Sequence, residues 1–145
     1  DDFTRLIQMA RGAFPYLIID IPAGFTPISI AACEASDKVG VMAMISGGFE
    51  MQHMSRALEI FQTWDDYEDR VKAILTRVAP YTDEMRRQLE GELGYPLYGI
   101  VPNDYLLLST AANNGRIVAD IRPNSPFAQS VAELAKGMYI SDRRG

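Results

Sequence analysis

The stretch Tyr16-Leu17-Ile18-Ile19-Asp20-Ile21-Pro22-Ala23-Gly24 constrains this chain more than any other. Apolar and aromatic residues run straight into an aspartate, and Pro and Gly follow at once. That order predicts a buried parallel strand delivering a carboxylate to its C-terminal edge, where open α/β sheets bind ligands. An aspartate there can hold a hydrated Mg²⁺ beside a nucleotide's terminal phosphates, and the glycine behind it lets a backbone N–H approach a phosphate. The complementary half of such a site, a Gly-rich loop ending in Lys and Ser or Thr, does not occur in these residues.

The rest of the chain alternates strand and helix patterns. Residues 2–13 place Phe3, Leu6, Ile7 and Ala10 on one helical face, and Gly12 and Pro15 end that helix. A short small-residue helix at 29–34 leads to a second strand at 39–45, apolar nearly throughout, and Ser46-Gly47-Gly48 makes a turn. Met51, Met54, Ala57, Leu58 and Phe61 then recur at helical spacing, a stripe expected to pack on the sheet. His53 falls on the polar face without a ligand at i+4, and Asp65-Asp66-Tyr67-Glu68-Asp69 lacks the Gly and terminal Glu of a calcium loop, so it reads as a solvated connection.

A third strand is predicted over 71–78, ended by Pro80. Thr82 caps the next helix, Met85, Leu89 and Leu93 face inward, and Gly94 stops it. A fourth strand covers 96–101. Asn103 or Asp104 caps a helix carrying Leu106, Leu107, Ala111 and Ala112, and Gly115 ends it. Asn124-Ser125-Pro126 offers an N-cap and a Pro at N1 and opens a last helix, with Phe127, Val131, Leu134, Ala135 and Met138 inside. The fold class that follows is α/β, three layers, with a mainly parallel sheet and helices on both faces, a Rossmann-like or P-loop NTPase-like arrangement.

The 145 residues, 48% hydrophobic, suffice for one domain or a large part of one. A net charge of -5, with no basic run longer than the pairs Arg86-Arg87 and Arg143-Arg144, argues against a nucleic-acid surface. The single cysteine, Cys33, excludes an internal disulfide and reads as a small core residue. No apolar run reaches the length of a membrane span. The tip Lys136-Gly137-Met138-Tyr139-Ile140 with Arg143-Arg144 is too short and too lightly charged for a membrane anchor, so any membrane contact is expected to be indirect.

The order of these landmarks resembles the second half of the MinD/ParA family of deviant P-loop ATPases. The turn Asp20-Ile21-Pro22-Ala23-Gly24 is similar to the family's D-x-P-x-G signature, and Ala35-Ser36-Asp37-Lys38-Val39 to its "ADKVVLV". The likeness continues through residues 94–104, Ala111-Ala112-Asn113-Asn114-Gly115 and Pro123-Asn124-Ser125-Pro126. The wording Pro102-Asn103-Asp104-Tyr105 is most similar to the TadZ/CpaE branch, whose members position and assemble the tight-adherence (Flp-type) pilus secretion machinery at the cell pole.

This resemblance implies that residues 1–145 form the C-terminal part of a MinD/ParA-like ATPase domain, with the phosphate loop and a central strand lying upstream. It implies ATP or ADP with Mg²⁺ as cofactors, Asp20 holding the Mg²⁺ through water, and Gly24 on the γ-phosphate side. Pro102, Asn103 and Asp104 would lie near the adenine and ribose. Thr76-Arg77 would adjoin the base where the family commonly has Asn-Arg; a threonine hydroxyl replaces the paired amide. A homodimer, pilus secretion or assembly partners, and a cytoplasmic, polar location near the inner membrane are implied as well. ATPase activity would require an intact upstream loop and is not expected of this segment alone. Two alternatives stay open: a non-enzymatic scaffold, with Asp20 structural and the 50–61 helix in protein contacts, or a partitioning or cell-division ATPase. Structural roles also stay open for Asp20 as a turn cap, for Gly24 as a backbone requirement and for Asn103 or Asp104 as a helix cap.

Overall fold

The computed structural model describes residues 2–45, 49–79 and 82–141. The predicted Ser46-Gly47-Gly48 turn, the Pro80 stop and the Arg143-Arg144 pair lie outside them. The chain divides into two compact units, Asp1–Val39 and Gly40–Gly145, which are described in turn.

In the first unit, α1 (Asp2–Ala13) and α2 (Pro27–Glu34) are the regular elements. Ile7 of α1 is buried, whereas Leu6, expected on the same inward face, is 63% exposed. Helix α2 starts two residues before the predicted position because Thr26 and Ser29 form a capping box. The Thr26 Oγ1 accepts from Ser29 N (3.1 Å) and the Ser29 Oγ accepts from Thr26 N (2.8 Å), satisfying two amides that a helix start leaves open. Cys33 is buried, as expected. Arg11 Nη2 contacts both carboxylate oxygens of Asp37 (2.5 and 2.6 Å) and its Nη1 donates to Ala35 O, fastening the end of α1 to the turn after α2.

Residues 14–26 hold neither helix nor strand, which corrects the predicted opening strand. Ile18 is 92% exposed and Tyr16 65% exposed. An apolar run becomes a strand only when neighbouring strands pair with its amide and carbonyl groups, and among the described residues the sheet has three strands, not four.

Those three strands, β1 (Val39–Met44), β2 (Val71–Val78) and β3 (Leu97–Pro102), are parallel and ordered β1-β2-β3, with helices on both faces. The central strand is the core. Ala73 and Leu75 are fully buried, and α3 (Phe49–Phe61) lays Met54, Leu58 and Phe61 over the sheet, as its stripe predicts. A turn of helix, α4 (Tyr67–Arg70), replaces part of the predicted solvated connection, its Arg70 guanidinium 4.4 Å from the Trp64 ring. Helix α5 (Asp83–Leu93) has the expected ends: Thr82 accepts from Met85 N, and Gly94 takes φ 63. Leu93 is buried, but Met85 is 44% exposed, which corrects its inward placement. Strand β3 is an edge, and α5 covers the start of that edge with side chains. Glu90 Oε1 accepts from Leu97 N (2.9 Å), and Arg86 Nη2 donates to Leu97 O, so the pair supplies the bonds a fourth strand would.

The β2-β3 ladder carries two register shifts. Between Ala73 and Ile74 the partner advances from Leu97 to Gly99, so Tyr98 is extra on β3. Between Leu75 and Val78 the partner advances only from Ile100 to Pro102, so β2 has the extra residue there. Beyond β3 come α6 (Tyr105–Asn113), the unpredicted four-residue α7 (Val118–Ile121) and α8 (Pro126–Ser141). Leu107, Ala111, Val118 and Ala128 form their common core. Val131, expected inside, is 42% exposed, and Leu106 of α6 is 77% exposed. The N-cap of α8 is Ser125, the residue before Pro126 at N1: its buried Oγ accepts from Ala128 N (3.1 Å). Helix α8 lies against β3, with Gly99 leaving room for the Leu134 side chain and Gly137 for the Tyr98 hydroxyl, which donates to Leu134 O (3.0 Å).

Candidate functional site at the carboxyl ends of the strands

Five of the seven residues singled out from the sequence gather at one end of the second unit. Parallel strands place their carboxyl ends side by side, and Val78 pairs with Pro102. Asn103 N donates to Val78 O (3.0 Å), so Thr76, Arg77, Pro102, Asn103 and Asp104 share this edge. Their side chains are not equally available. Asp104 Oδ1 accepts from Leu107 N (3.2 Å), making Asp104 rather than Asn103 the cap of α6. The Thr76 hydroxyl donates to Ala43 O (3.4 Å), and Ile45 N donates to Thr76 O (3.3 Å), so Thr76 joins β2 to β1. Arg77 and Asn103 are exposed.

Arg77 is the single non-glycine residue at positive φ among those described, at 56°. It lies in the segment where β2 carries its extra residue. A bulge of this kind kinks the strand and re-aims a side chain, and left-handed backbone in an L residue costs about 1 kcal/mol or more.

Asp20 and Gly24 belong to the first unit. Asp20 is exposed, and among the described residues no hydrogen bond or ion pair engages its carboxylate, so it does not serve as a turn cap. Gly24 adopts φ 117, a conformation L side chains rarely take, and its carbonyl accepts from Ser29 Oγ (2.9 Å). A Cβ built there meets nothing within 4 Å, so the requirement for glycine is conformational rather than steric. For Mg²⁺ the donor set fits in part. A lone carboxylate holds this ion through water when phosphate oxygens supply other ligands, and no group of three or more His, Cys, Asp or Glu residues able to hold a metal occurs among the described residues.

A concavity of about 600 Å³ opens at the opposite, amino ends of β2 and β3, lined in part by Gln62, Tyr67, Glu68, Lys72, Tyr95 and Tyr98. Sequence reasoning missed it, because its tyrosines share no period; the clustering comes from the short α4 and from the bulge at Tyr98. Burial, then the charges of Tyr67 and Glu68, raise the Tyr95 phenol above its ordinary 10.0, and its hydroxyl donates to Val71 O (3.0 Å). Burial raises Tyr98 as well. Its polar groups are joined to one another and to the backbone: Tyr67 bonds Glu68, and Lys72 donates to Glu68 O. The strand edge opposite is the one that open α/β sheets use for ligands.

Two solved structures share this architecture. A ParA family ATPase from Chlorobium tepidum TLS superposes with a TM-score of 0.79 at 19% identity, covering 91% of this chain and 55% of that one. The septum site-determining protein MinD from Pyrococcus horikoshii OT3, complexed with Mg-ADP, superposes with a TM-score of 0.70 at 17% identity, covering 93% and 54%. The fold is therefore MinD/ParA-like. This chain spans about half the length of each. No family model matches the sequence, and no curated protein matches it. Among the described residues no helix is long and apolar enough to cross a membrane.

Proposed function

We propose that residues 1–145 are the C-terminal part of a MinD/ParA-like ATPase domain and that the full-length protein binds ATP or ADP with Mg²⁺. The observation that carries this reading is the fold shared with MinD and a ParA family ATPase over nine-tenths of the chain. Asp20, exposed and unengaged ahead of a positive-φ glycine, suits the Mg²⁺ role through water. Exposed apolar residues add support. Tyr16 and Ile18 in one unit, and Met42 on the outer strand β1 in the other, are surfaces that further parts of a domain would cover. Within the family, the Pro102-Asn103-Asp104-Tyr105 wording favours a TadZ/CpaE-type factor that dimerises and positions pilus secretion components at the cytoplasmic face of the cell pole.

The deciding experiment is calorimetry of Mg²⁺-ATP with the full-length protein and with Asp20→Ala. Binding that persists in the variant without its Mg²⁺ dependence is the expected result. Failure of the folded wild-type protein to bind would sink the nucleotide reading. A scaffold would then stand in its place, a reading favoured by the engagement of Asp104 and Thr76 in capping and strand bridging. A partitioning ATPase differs in its partner and would reveal itself by salt-sensitive DNA binding of the full-length protein.

A further inference from the structure

In the concavity at the amino ends of β2 and β3 the hydroxyls and the ammonium are already engaged, so what it offers is ring faces. Tyr95 donates to Val71 O (3.0 Å), Tyr98 to Leu134 O (3.0 Å) and Tyr67 to Glu68 Oε1 (3.2 Å). The Lys72 ammonium donates to Glu68 O (2.9 Å) and lies 5.6 Å from the centre of the Tyr98 ring. Tyr95 is buried, its ring centre 6.0 Å from that of Tyr67. Tyr67 and Tyr98 are half-buried and Pro96 is exposed, so rings from α4 and from the start of β3 reach solvent in one concavity.

An added strand does not fit there. Leu97 N and Leu97 O are held by Glu90 and Arg86, so the backbone groups with which a strand would pair at the start of β3 are taken. A polyproline II segment needs none of them. It makes no internal hydrogen bonds, brings no N–H at its prolines, is largely ordered before it binds, and packs its rings on aromatic faces. Its bare carbonyls can accept from the amide of Gln62, which is exposed in the lining. Charge narrows the choice further. The segment 65–72 that walls the concavity carries the carboxylates of Asp65, Asp66, Glu68 and Asp69 against the cations of Arg70 and Lys72. Arg70 is turned to Asp66 (3.3 Å) and to the Trp64 ring, and Lys72 to Glu68 O, so the excess is negative. We infer that this concavity docks a proline-rich, basic segment of a partner protein in the polyproline II conformation, its prolines on Tyr67 and Tyr98 and a Lys or Arg beside the carboxylates of 65–69. The surface lies at the opposite end of the strands from the proposed nucleotide edge and does not depend on it.

The test is fluorescence anisotropy of labelled synthetic peptides titrated with the full-length protein at physiological ionic strength. The probes are four repeats of Arg-Pro-Pro, of Arg-Gly-Gly and of Glu-Pro-Pro. The Arg-Pro-Pro peptide is expected to bind at least tenfold more tightly than either of the others. Equal binding of the Arg-Gly-Gly peptide would reduce recognition to charge, equal binding of the Glu-Pro-Pro peptide would remove the role of the carboxylates, and no binding of Arg-Pro-Pro would remove the site; each overturns the inference. Two variants locate the binding, with urea midpoints showing that each is folded. Tyr67→Ala removes a ring face and is expected to weaken the Arg-Pro-Pro peptide at least tenfold. Glu68→Arg reverses an exposed charge while keeping the Tyr67 and Tyr95 rings, and the same loss is expected. Unchanged affinity in either folded variant would place the peptide elsewhere and overturn the inference.

Discussion

Tyr16-Leu17-Ile18-Ile19 and Ala73-Ile74-Leu75 are equally apolar runs, and sequence rules make both of them buried strands. One holds no regular structure, with Ile18 92% exposed; the other is the middle of a parallel sheet, with Ala73 and Leu75 at 0%. The difference lies in what stands beside each. β2 has β1 on one edge and β3 on the other, so its backbone groups are paired and its side chains lie under helices. A strand is therefore a property of neighbours, and apolar content only permits it.

The sharpest way to break this contrast is a pair of truncations. Leu75→Ala should lose about 2–5 kcal/mol in urea unfolding, because the cavity it leaves cannot fill, whereas Ile18→Ala should stay within about 0.5 kcal/mol. Equal costs would end the contrast. Gly99→Val should cost about 1–3 kcal/mol by driving a side chain into Leu134, and Leu134→Ala in the same chain should recover part of it.

Tyr95→Phe should cost about 1 kcal/mol at neutral pH by leaving the Val71 carbonyl without its phenol donor. The same variant carries a pH signature. The folded state raises the Tyr95 pKa above 10.0, so this stabilisation is complete below pH 10 and declines as pH rises through the raised value. Urea midpoints of wild type should fall in that alkaline range, with a shallower fall in the variant. The smallest effect concerns Asp104: Asp104→Ala should lose about 1 kcal/mol and Asp104→Asn only a few tenths, since both Asp and Asn cap helices. Nucleotide affinity that fell in the Asn variant would show that Asp104 does more than cap.

What could be read from the chain was what local chemistry writes there. Thr82 and Gly94 bound α5 because one side chain satisfies a first-turn amide and one backbone takes a left-handed turn. The ends of β2 and the inward stripe of α3 were equally legible. The start of α8 was legible as well, because Pro126 at N1 makes Ser125, the residue before it, the cap. Helix α7 has no side-chain cap to announce it. Val131 fits an apolar period yet is 42% exposed, since a period gives a face its width but not its edges. At the candidate site, residues 76–77 and 102–104 were named by the family resemblance, and the parallel strands bring them to one edge. That Thr76 turns to Ala43 while Arg77 stands exposed could not be foreseen, because it depends on where β2 slips against its neighbour.

The slip has a consequence for how this chain can change. Tyr98 adds one residue to β3 and the Thr76-Arg77 segment adds one to β2, so the outer pairings Ala73 with Leu97 and Val78 with Pro102 are in phase while the stretch between them is offset. The two insertions behave as a lock with two keys. Deleting Tyr98 alone would rotate every later side chain of β3 to the other face, and deleting Arg77 alone would do the same beyond it on β2. Only a paired deletion restores a plain ladder, and it would remove the tyrosine that ties down α8 together with the arginine offered at the opposite end. The two ends of the sheet are thus bound to change together or not at all.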